Sequence, residues 1–231
     1  MRKLALFILI FLPLVTVSCG GDEPNYSDQK LTIGAYYKIP GGSFGWTSDN
    51  EWIAGVTSYG LFALHVGETT IRKDDKHFRV TVTGRYHTYE EPYLFYGDSK
   101  TAVRKHMSGS TLISEDETLL LYQGKSPVMM VAYTFADGAL KQSSVVISKA
   151  DVSADELSKF IAERYIHVAT DSQNNYVGYI SADKHSVVIL QEGTLYGKEV
   201  YMISYAKYNP SNAPAVEVKK QMRHIYHLYD R

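Results

Sequence analysis

The most constraining feature of this sequence is a two-residue alternation of apolar and polar side chains between residues 46 and 83. Phe78, Val80 and Val82 fall on one face of such a strand, while the residues between them face solvent. Turn-forming residues interrupt the alternation at intervals of ~8–12 residues, which is typical of all-β sandwiches. Gly60 stands at a hairpin that needs a positive φ, and residues 73–76 form a polar turn. The pattern therefore predicts a small β-sandwich over residues 31–84.

A more specific order of residues lies within the same region. It runs through Trp46-Thr-Ser-Asp-Asn50, Ile53-Ala54, Val56, Gly60-Leu61, Ala63, Gly67, Thr69-Thr-Ile71 and Val80-Thr-Val82. This order resembles the bacterial immunoglobulin-like domain, group 2. The resemblance implies an immunoglobulin-like β-sandwich of the kind found in surface adhesins and lipid-anchored proteins, often as a spacer. Fold alone implies no ligand.

After Gly84 the pattern changes to a mixture of helix and strand. Ser99 can cap a short helix that ends near Met107, and strand-like segments follow, with Asp137-Gly138 as a hairpin signal. A capping box at Ser153-Ala-Asp-Glu156 then begins a second helix. Its apolar stripe is Leu157, Phe160, Ile161 and Tyr165, and more strand-like segments follow it.

This order of helices and strands predicts an α+β domain over residues 85–208, with helices packed on an antiparallel sheet. Because helix followed by strands occurs twice, it also permits a tandem αβ repeat. Residues 209–231 are predicted to be a linker and a C-terminal helix. The domain resembles domains of unknown function in lipid-anchored envelope proteins of Gram-negative gut-type bacteria. The resemblance rests on Tyr89-Glu-Glu-Pro92, Gly97-Asp-Ser99 and Phe160-Ile-Ala-Glu-Arg-Tyr165, and it implies no activity.

The N-terminus carries a targeting signal. Leu4 to Val17 is an apolar run that would span about 21 Å as a helix, short of the ~30 Å hydrocarbon core of a bilayer. A basic start and a short apolar run are typical of a secretory signal. Cys19 follows at the cleavage point and is the one cysteine of the chain. The segment resembles a bacterial lipoprotein signal, which implies a signal peptide over 1–18, an acylated (palmitate-bearing) Cys19 and a flexible tether over 19–30. An ordinary signal peptide with an incidental cysteine is the alternative.

The predicted location is the cell envelope, with the lipid holding the protein in the outer membrane. Asp22 and Glu23, close behind the cysteine, resemble the acidic export signal of surface lipoproteins. A solvated linker is the other interpretation of these two residues. Because the formal net charge is only −1, composition predicts no nucleic-acid partner.

Short-range catalytic and metal-binding patterns are missing from the sequence. There is no nucleophile elbow or phosphate loop, and no cofactor or metal is predicted. His224, His227 and Asp230 could place two imidazoles on one helix face, but surface histidines are the preferred interpretation. Glu90 and Glu91 would point to opposite faces of a strand, which disfavours a cooperating carboxylate pair.

Aromatic residues offer the remaining candidates. Trp46 and Trp52 could form a sugar-stacking platform, although the family resemblance places Trp46 in the core or at its edge. The densest aromatic cluster lies at the predicted domain junction and consists of Tyr86, Tyr89, Tyr93, Phe95 and Tyr96. This cluster either packs the two domains together or lines a groove for a glycan or peptide.

We therefore expect a non-catalytic, lipid-anchored envelope protein that binds a partner or glycan, or acts structurally. The alternative is a hydrolase of extracellular polymers, with a site assembled from distant residues of the α+β domain.

Overall fold

The computed structural model describes residues 26–173 and 175–210, and in these ranges the chain is mainly β. The strands and helices, in chain order, are β1 (Gln29–Thr32), β2 (Tyr36–Tyr37), β3 (Thr47–Ser48), β4 (Ala54–Thr57), β5 (Gly60–Ala63), β6 (Gly67–Lys73), β7 (Lys76–Thr83), α1 (Lys100–His106), β8 (Leu112–Glu115), β9 (Leu119–Gln123), β10 (Val128–Ala136), β11 (Ala139–Ser148), α2 (Ala154–Arg164), β12 (Tyr165–Asp171), β13 (Tyr176–Ser181), β14 (Ser186–Leu195) and β15 (Lys198–Lys207). The predicted β-rich fold is confirmed.

Strands β1 to β7 form two small sheets that pack face to face. One sheet has the order β1-β7-β6-β3, in which β1 runs parallel to β7, and the other has the order β2-β5-β4. Apolar residues from both sheets share one core, to which Leu61 contributes from β5 and Ile71 from β6. The two-residue alternation of the sequence has its expected effect in β6 and β7, where buried residues alternate with more exposed ones.

Gly60 confirms the positive φ expected at the β4–β5 hairpin. Its φ is +147°, and a Cβ there would lie 2.5 Å from the carbonyl oxygen of Tyr37. No side chain fits at that distance, so the glycine is required by a close approach of two backbones as well as by its dihedral angle.

The first strand begins earlier than the sequence indicates. Residues 29 and 30 were assigned to the tether over 19–30, but β1 starts at Gln29 and pairs with β7. Upstream of it, Tyr26 packs on Trp46 with ring centroids 4.8 Å apart, and Asp28 accepts the backbone N–H of Arg79 at 2.8 Å. Pairing with a neighbouring strand, rather than apolar alternation of its own, holds this short polar segment.

Strands β8 to β15 form a single eight-stranded antiparallel sheet with the order β12-β13-β14-β15-β11-β10-β9-β8. Each half is a four-stranded meander, and the last strands of the halves, β11 and β15, pair at the centre. A helix precedes each meander: α1 comes before β8, and α2 comes before β12.

The helices pack through the residues that the sequence indicates. Ser99 and Ser153 are the N-caps of α1 and α2, and each side chain accepts the backbone N–H three residues ahead. Leu157, Phe160 and Ile161 of α2 join the core formed with β11, β14 and β15. Val103 of α1 packs with side chains of β9, β10 and β11 in a neighbouring cluster. The opposite face of the sheet carries a further apolar cluster, which includes Leu121, Ile189 and Met202.

Candidate functional site

Residues 86–96 link the first two sheets to the eight-stranded sheet and carry all five residues of the predicted aromatic cluster. Tyr89 is buried, packs on Phe160 with ring centroids 4.4 Å apart, and shares a hydrogen bond between hydroxyl groups with Tyr205 of β15. Tyr96 shares a 3.0 Å hydrogen bond with Ser186 Oγ and stacks on His185. Burial raises the pKa of both Tyr89 and Tyr96, so their hydroxyl groups stay neutral.

The middle of this segment is held against the first half of the sheet. Tyr93 donates its hydroxyl hydrogen to Asp98 Oδ2, and its carbonyl oxygen accepts from Ser143 Oγ at 2.5 Å. The Tyr93 backbone N–H donates to Tyr133 Oη at 3.3 Å, and that hydroxyl donates to Met107 Sδ at 3.2 Å. Burial raises the pKa of Tyr133 to about 12. These hydrogen bonds fix the position of residues 86–96, which form one wall of a groove.

An open groove of about 490 Å³ lies between this wall, the residues after α1 and the β9–β10 loop. Its volume falls within the ~300–1,000 Å³ range of ligand pockets. The wall contributes His87, Thr88, Tyr89, Glu90, Glu91 and Pro92; the rest includes His106, Met107, Ser108, Ser110, Lys125, Pro127 and Tyr133. Thr88 is 6% exposed, and its Oγ1 is buried with no hydrogen-bond partner in the described part of the chain. The groove therefore has both aromatic and apolar surface and neutral and charged hydrogen-bonding groups.

A second cavity, of about 160 Å³, lies on the other side of the same segment. Arg164, Tyr165, Asp183 and His185 line it together with Glu91, which also lines the groove. Tyr165 donates its hydroxyl hydrogen to Glu91 Oε1, and Arg164 Nε lies 3.8 Å from Glu91 Oε2. Backbone carbonyl groups hold the Arg164 guanidinium in place, since Nη1 donates to Phe160 O and Nη2 to Tyr86 O.

The environment of Glu91 in this cavity changes the pKa of its carboxyl group. Burial raises the pKa of Glu91 above its usual 4.5; the Tyr165 hydrogen bond and the Arg164 charge oppose this, and the Asp183 charge adds to it. Burial is also the main cause that raises the pKa of Tyr165, with the Glu91 charge second. The cavity therefore contains a carboxyl group that is unusually easy to protonate, next to a permanent cation.

Several predicted candidates lie elsewhere. Cys19 and the His224, His227 and Asp230 group fall outside the described residues. Trp46 is 5% exposed and contacts Phe78, which confirms its place in the core, whereas Trp52 is 51% exposed. The two tryptophans thus differ too much in exposure to form one platform.

The adjacent carboxyl groups Glu90 and Glu91 are not in a strand, as the sequence analysis assumed, but in the irregular wall of the groove. Both line the groove because irregular backbone does not force neighbouring side chains onto opposite faces. Two other acidic residues have structural roles: Asp49 pairs with Arg72 at 2.9 Å, and Asp74 adopts a φ of 54° in the polar turn of residues 73–76. Over residues 26–173 and 175–210, no three His, Cys, Asp or Glu side chains are placed to hold a metal ion.

The sequence did not predict that Arg164, Asp183 and His185 line a cavity. No local pattern joins them to Glu91, because they reach the cavity from the end of α2 and from the β13–β14 loop. Only the structure shows that Arg164 and Glu163, adjacent at the end of α2, are both charged residues with little exposure. Buried charges at a helix end indicate a partner elsewhere in the fold.

Comparisons with known proteins find no match: no family model fits the chain, and no curated protein or solved structure resembles it significantly. Neither helix in the described ranges is long and apolar enough to cross a membrane.

Proposed function

We propose that this chain is a lipid-anchored protein of the cell envelope that binds an extracellular partner and catalyses no reaction. In this proposal Cys19 carries the lipid in the outer membrane, residues 31–84 are an immunoglobulin-like spacer, and residues 85–208 are an α+β binding domain. Two packed sheets of four and three strands support the spacer assignment. Two capped helices that pack on one antiparallel sheet support the second assignment.

The groove is the observation that carries the binding role. It is large enough for a ligand, its wall is fixed by Tyr89 and Tyr93, and its lining includes the exposed side chains of Glu90 and Lys125. Such a groove suits a ligand that has both apolar surface and hydrogen-bonding groups, as peptides and glycans do.

Site-specific photo-crosslinking in cells tests the binding role. A photoreactive phenylalanine analogue replaces Ser108, which is exposed and lines the groove. The same analogue at Ser158, exposed on α2 and away from the groove, is the matched control. We expect an adduct of higher mass at position 108 only. Equal adducts at both positions, or none, would contradict the groove as the binding site.

The anchor has its own test. Because Cys19 is the one cysteine, Cys19→Ala removes the sole acylation point and should move the protein from the membrane to the soluble fraction. If the variant stays with membranes, the anchor is not at Cys19.

A hydrolase is the second candidate, because Glu91 and Asp183 reach one cavity from distant parts of the chain. Glu91 would act as the general acid and Asp183 as the base. The cavity volume of about 160 Å³ is below the usual range of ~300–1,000 Å³, so a polymer has little room there. Release of reducing ends from a panel of polysaccharides, compared between the parent, Glu91→Gln and Asp183→Asn, tests this candidate. Hydrolysis by the parent that both variants lose would favour the enzyme over the binding protein.

A further inference from the structure

The two halves of the eight-stranded sheet repeat the same local structure. Ser99 and Ser153 cap their helices in the same way, and the residue four positions after each cap, Val103 or Leu157, is buried. The last two strands of each half are joined by matching hairpins. Asp137 and Gly138 have φ values of 54° and 72°, and Tyr196 and Gly197 have values of 50° and 74°.

These matches relate the halves by an approximate twofold axis between β11 and β15, which pair in antiparallel register at the centre of the sheet. Positions in one half can therefore be compared with positions in the other. The end of α1 and the β9–β10 loop correspond to the end of α2 and the β13–β14 loop.

In the second half, this position holds a segment of the chain itself. The loop between β5 and β6 lies against it, and the Val66 backbone N–H donates to the carbonyl oxygen of Glu163 at 2.8 Å. Asn50 Nδ2 donates to the carbonyl oxygen of Ala182 at 2.8 Å, and Ala182 joins the core of the first two sheets. What remains open is the cavity of about 160 Å³, with Val66 in its wall.

In the first half, the corresponding position is the groove of about 490 Å³, between residues 106–110 and residues 123–128. No described segment of the chain occupies it as the β5–β6 loop occupies the other position. The difference between the two volumes is therefore explained by the segment that one half receives from the first two sheets.

We propose that the groove receives a polypeptide segment of a partner protein, seated as the β5–β6 loop is seated in the second half. The inference rests on the proposed binding function and names its ligand class. A segment that fits has an aliphatic side chain at the position that corresponds to Val66. Its backbone N–H groups donate to backbone carbonyl groups of the residues that follow α1. A basic residue of the segment is accommodated beside the exposed carboxylate of Glu90.

Two screens on the same full chain test the ligand class: a phage library of random linear peptides, and a glycan array. Each is run with the parent, with Ser108→Tyr, which adds bulk in the groove, and with Ser158→Tyr as the matched control on α2. We expect peptides with a shared aliphatic position to be enriched on the parent. Their affinity should fall at least tenfold in Ser108→Tyr and stay within twofold in Ser158→Tyr.

Glu90→Gln supplies a second variant, since it keeps the shape of the side chain and removes only its charge. It should weaken the enriched peptides several-fold while circular dichroism and the melting temperature show an intact fold. A glycan whose binding is lost in Ser108→Tyr would overturn the peptide class and leave the groove as the binding site. If neither screen gives a ligand sensitive to Ser108→Tyr, the peptide class and the groove's binding role are both overturned.

Discussion

The carboxylate of Glu163 accepts the backbone N–H of Arg85 at 2.8 Å, which joins the end of α2 to the start of the linking segment. The same oxygen, Oε2, accepts the N–H of Tyr86 at 3.1 Å. Gly84 leaves room for this contact, since a Cβ there would lie 2.7 Å from Glu163 Oε2. Glu163 is only 8% exposed, so the carboxylate replaces water as the partner of two backbone groups.

Glu163→Ala should therefore lower the free energy of unfolding by ~1.5–3 kcal/mol, the usual contribution of hydrogen bonds to a charged group. Chemical denaturation of the full chain measures it. Glu117→Ala, at an exposed position, is the control and should stay within ~0.5 kcal/mol of the parent. Equal losses in the two variants would mean that the Glu163 contacts contribute nothing to stability.

The hydroxyl groups of Tyr89 and Tyr205 form a second testable pair, because both residues are buried and they share one hydrogen bond. Tyr89→Phe or Tyr205→Phe should each cost ~1–3 kcal/mol of stability, since the remaining hydroxyl group loses its partner. The double variant should cost clearly less than the sum, because it leaves no hydroxyl group unpaired. Denaturation of all four proteins gives the coupling energy, and strictly additive losses would contradict the pairing.

Local signals predicted much of the fold. The capping box at Ser153 and the Asp137-Gly138 turn are each formed by neighbouring residues, so their chemistry is visible in the sequence. Strand β8 shows the limit: all four of its residues are exposed, so it has no apolar alternation, and pairing with β9 defines it. The Tyr196-Gly197 turn was not recognised as a hairpin signal, because tyrosine is an uncommon residue at positive φ.

The site was predicted only in part. The aromatic cluster at the junction was visible because Tyr86, Tyr89, Tyr93 and Tyr96 are close in sequence. The groove itself was not, since its other walls follow α1 and β9, and their position depends on how the sheet forms. The place of Arg164 and Asp183 beside Glu91 depends on contacts between residues far apart in the chain, for which a single sequence has no periodic signal.

Phe160 tests whether α2 is structural. Its ring is 1% exposed and lies 4.4 Å from that of Tyr89 and 3.8 Å from the Arg164 guanidinium carbon. Phe160→Ala should cost ~3–5 kcal/mol, as loss of a buried aromatic side chain does, and Ser153→Ala should cost ~0.5–2 kcal/mol through loss of the cap. Thermal melts measure both, with Phe44→Ala as a control at a side chain that is 92% exposed. A melting temperature for Phe160→Ala equal to that of the parent would show that α2 is not held by this core.

Glu91 should make stability depend on pH. Its pKa in the folded protein is raised above the usual 4.5, chiefly by burial, so the unfolded chain loses this proton at a lower pH than the folded protein does. Below about pH 4.5 the group is protonated in both states; as the pH rises through the raised pKa, the folded state loses stability relative to the unfolded state. Glu91→Gln cannot ionise, so the difference between its free energy of unfolding and that of the parent should grow in favour of the variant as the pH rises above about 4.5.

Urea denaturation of the parent and Glu91→Gln at several pH values measures this difference, and Glu117→Gln, at an exposed position, corrects for general charge effects. The glutamine can still accept the Tyr165 hydroxyl hydrogen but cannot pair with the Arg164 charge. If that charge dominated over burial, the pKa of Glu91 would be lowered instead. The free energy of unfolding of the parent would then increase relative to that of the variant as the pH rises. The sign of the slope therefore decides whether burial or the ion pair controls this carboxyl group.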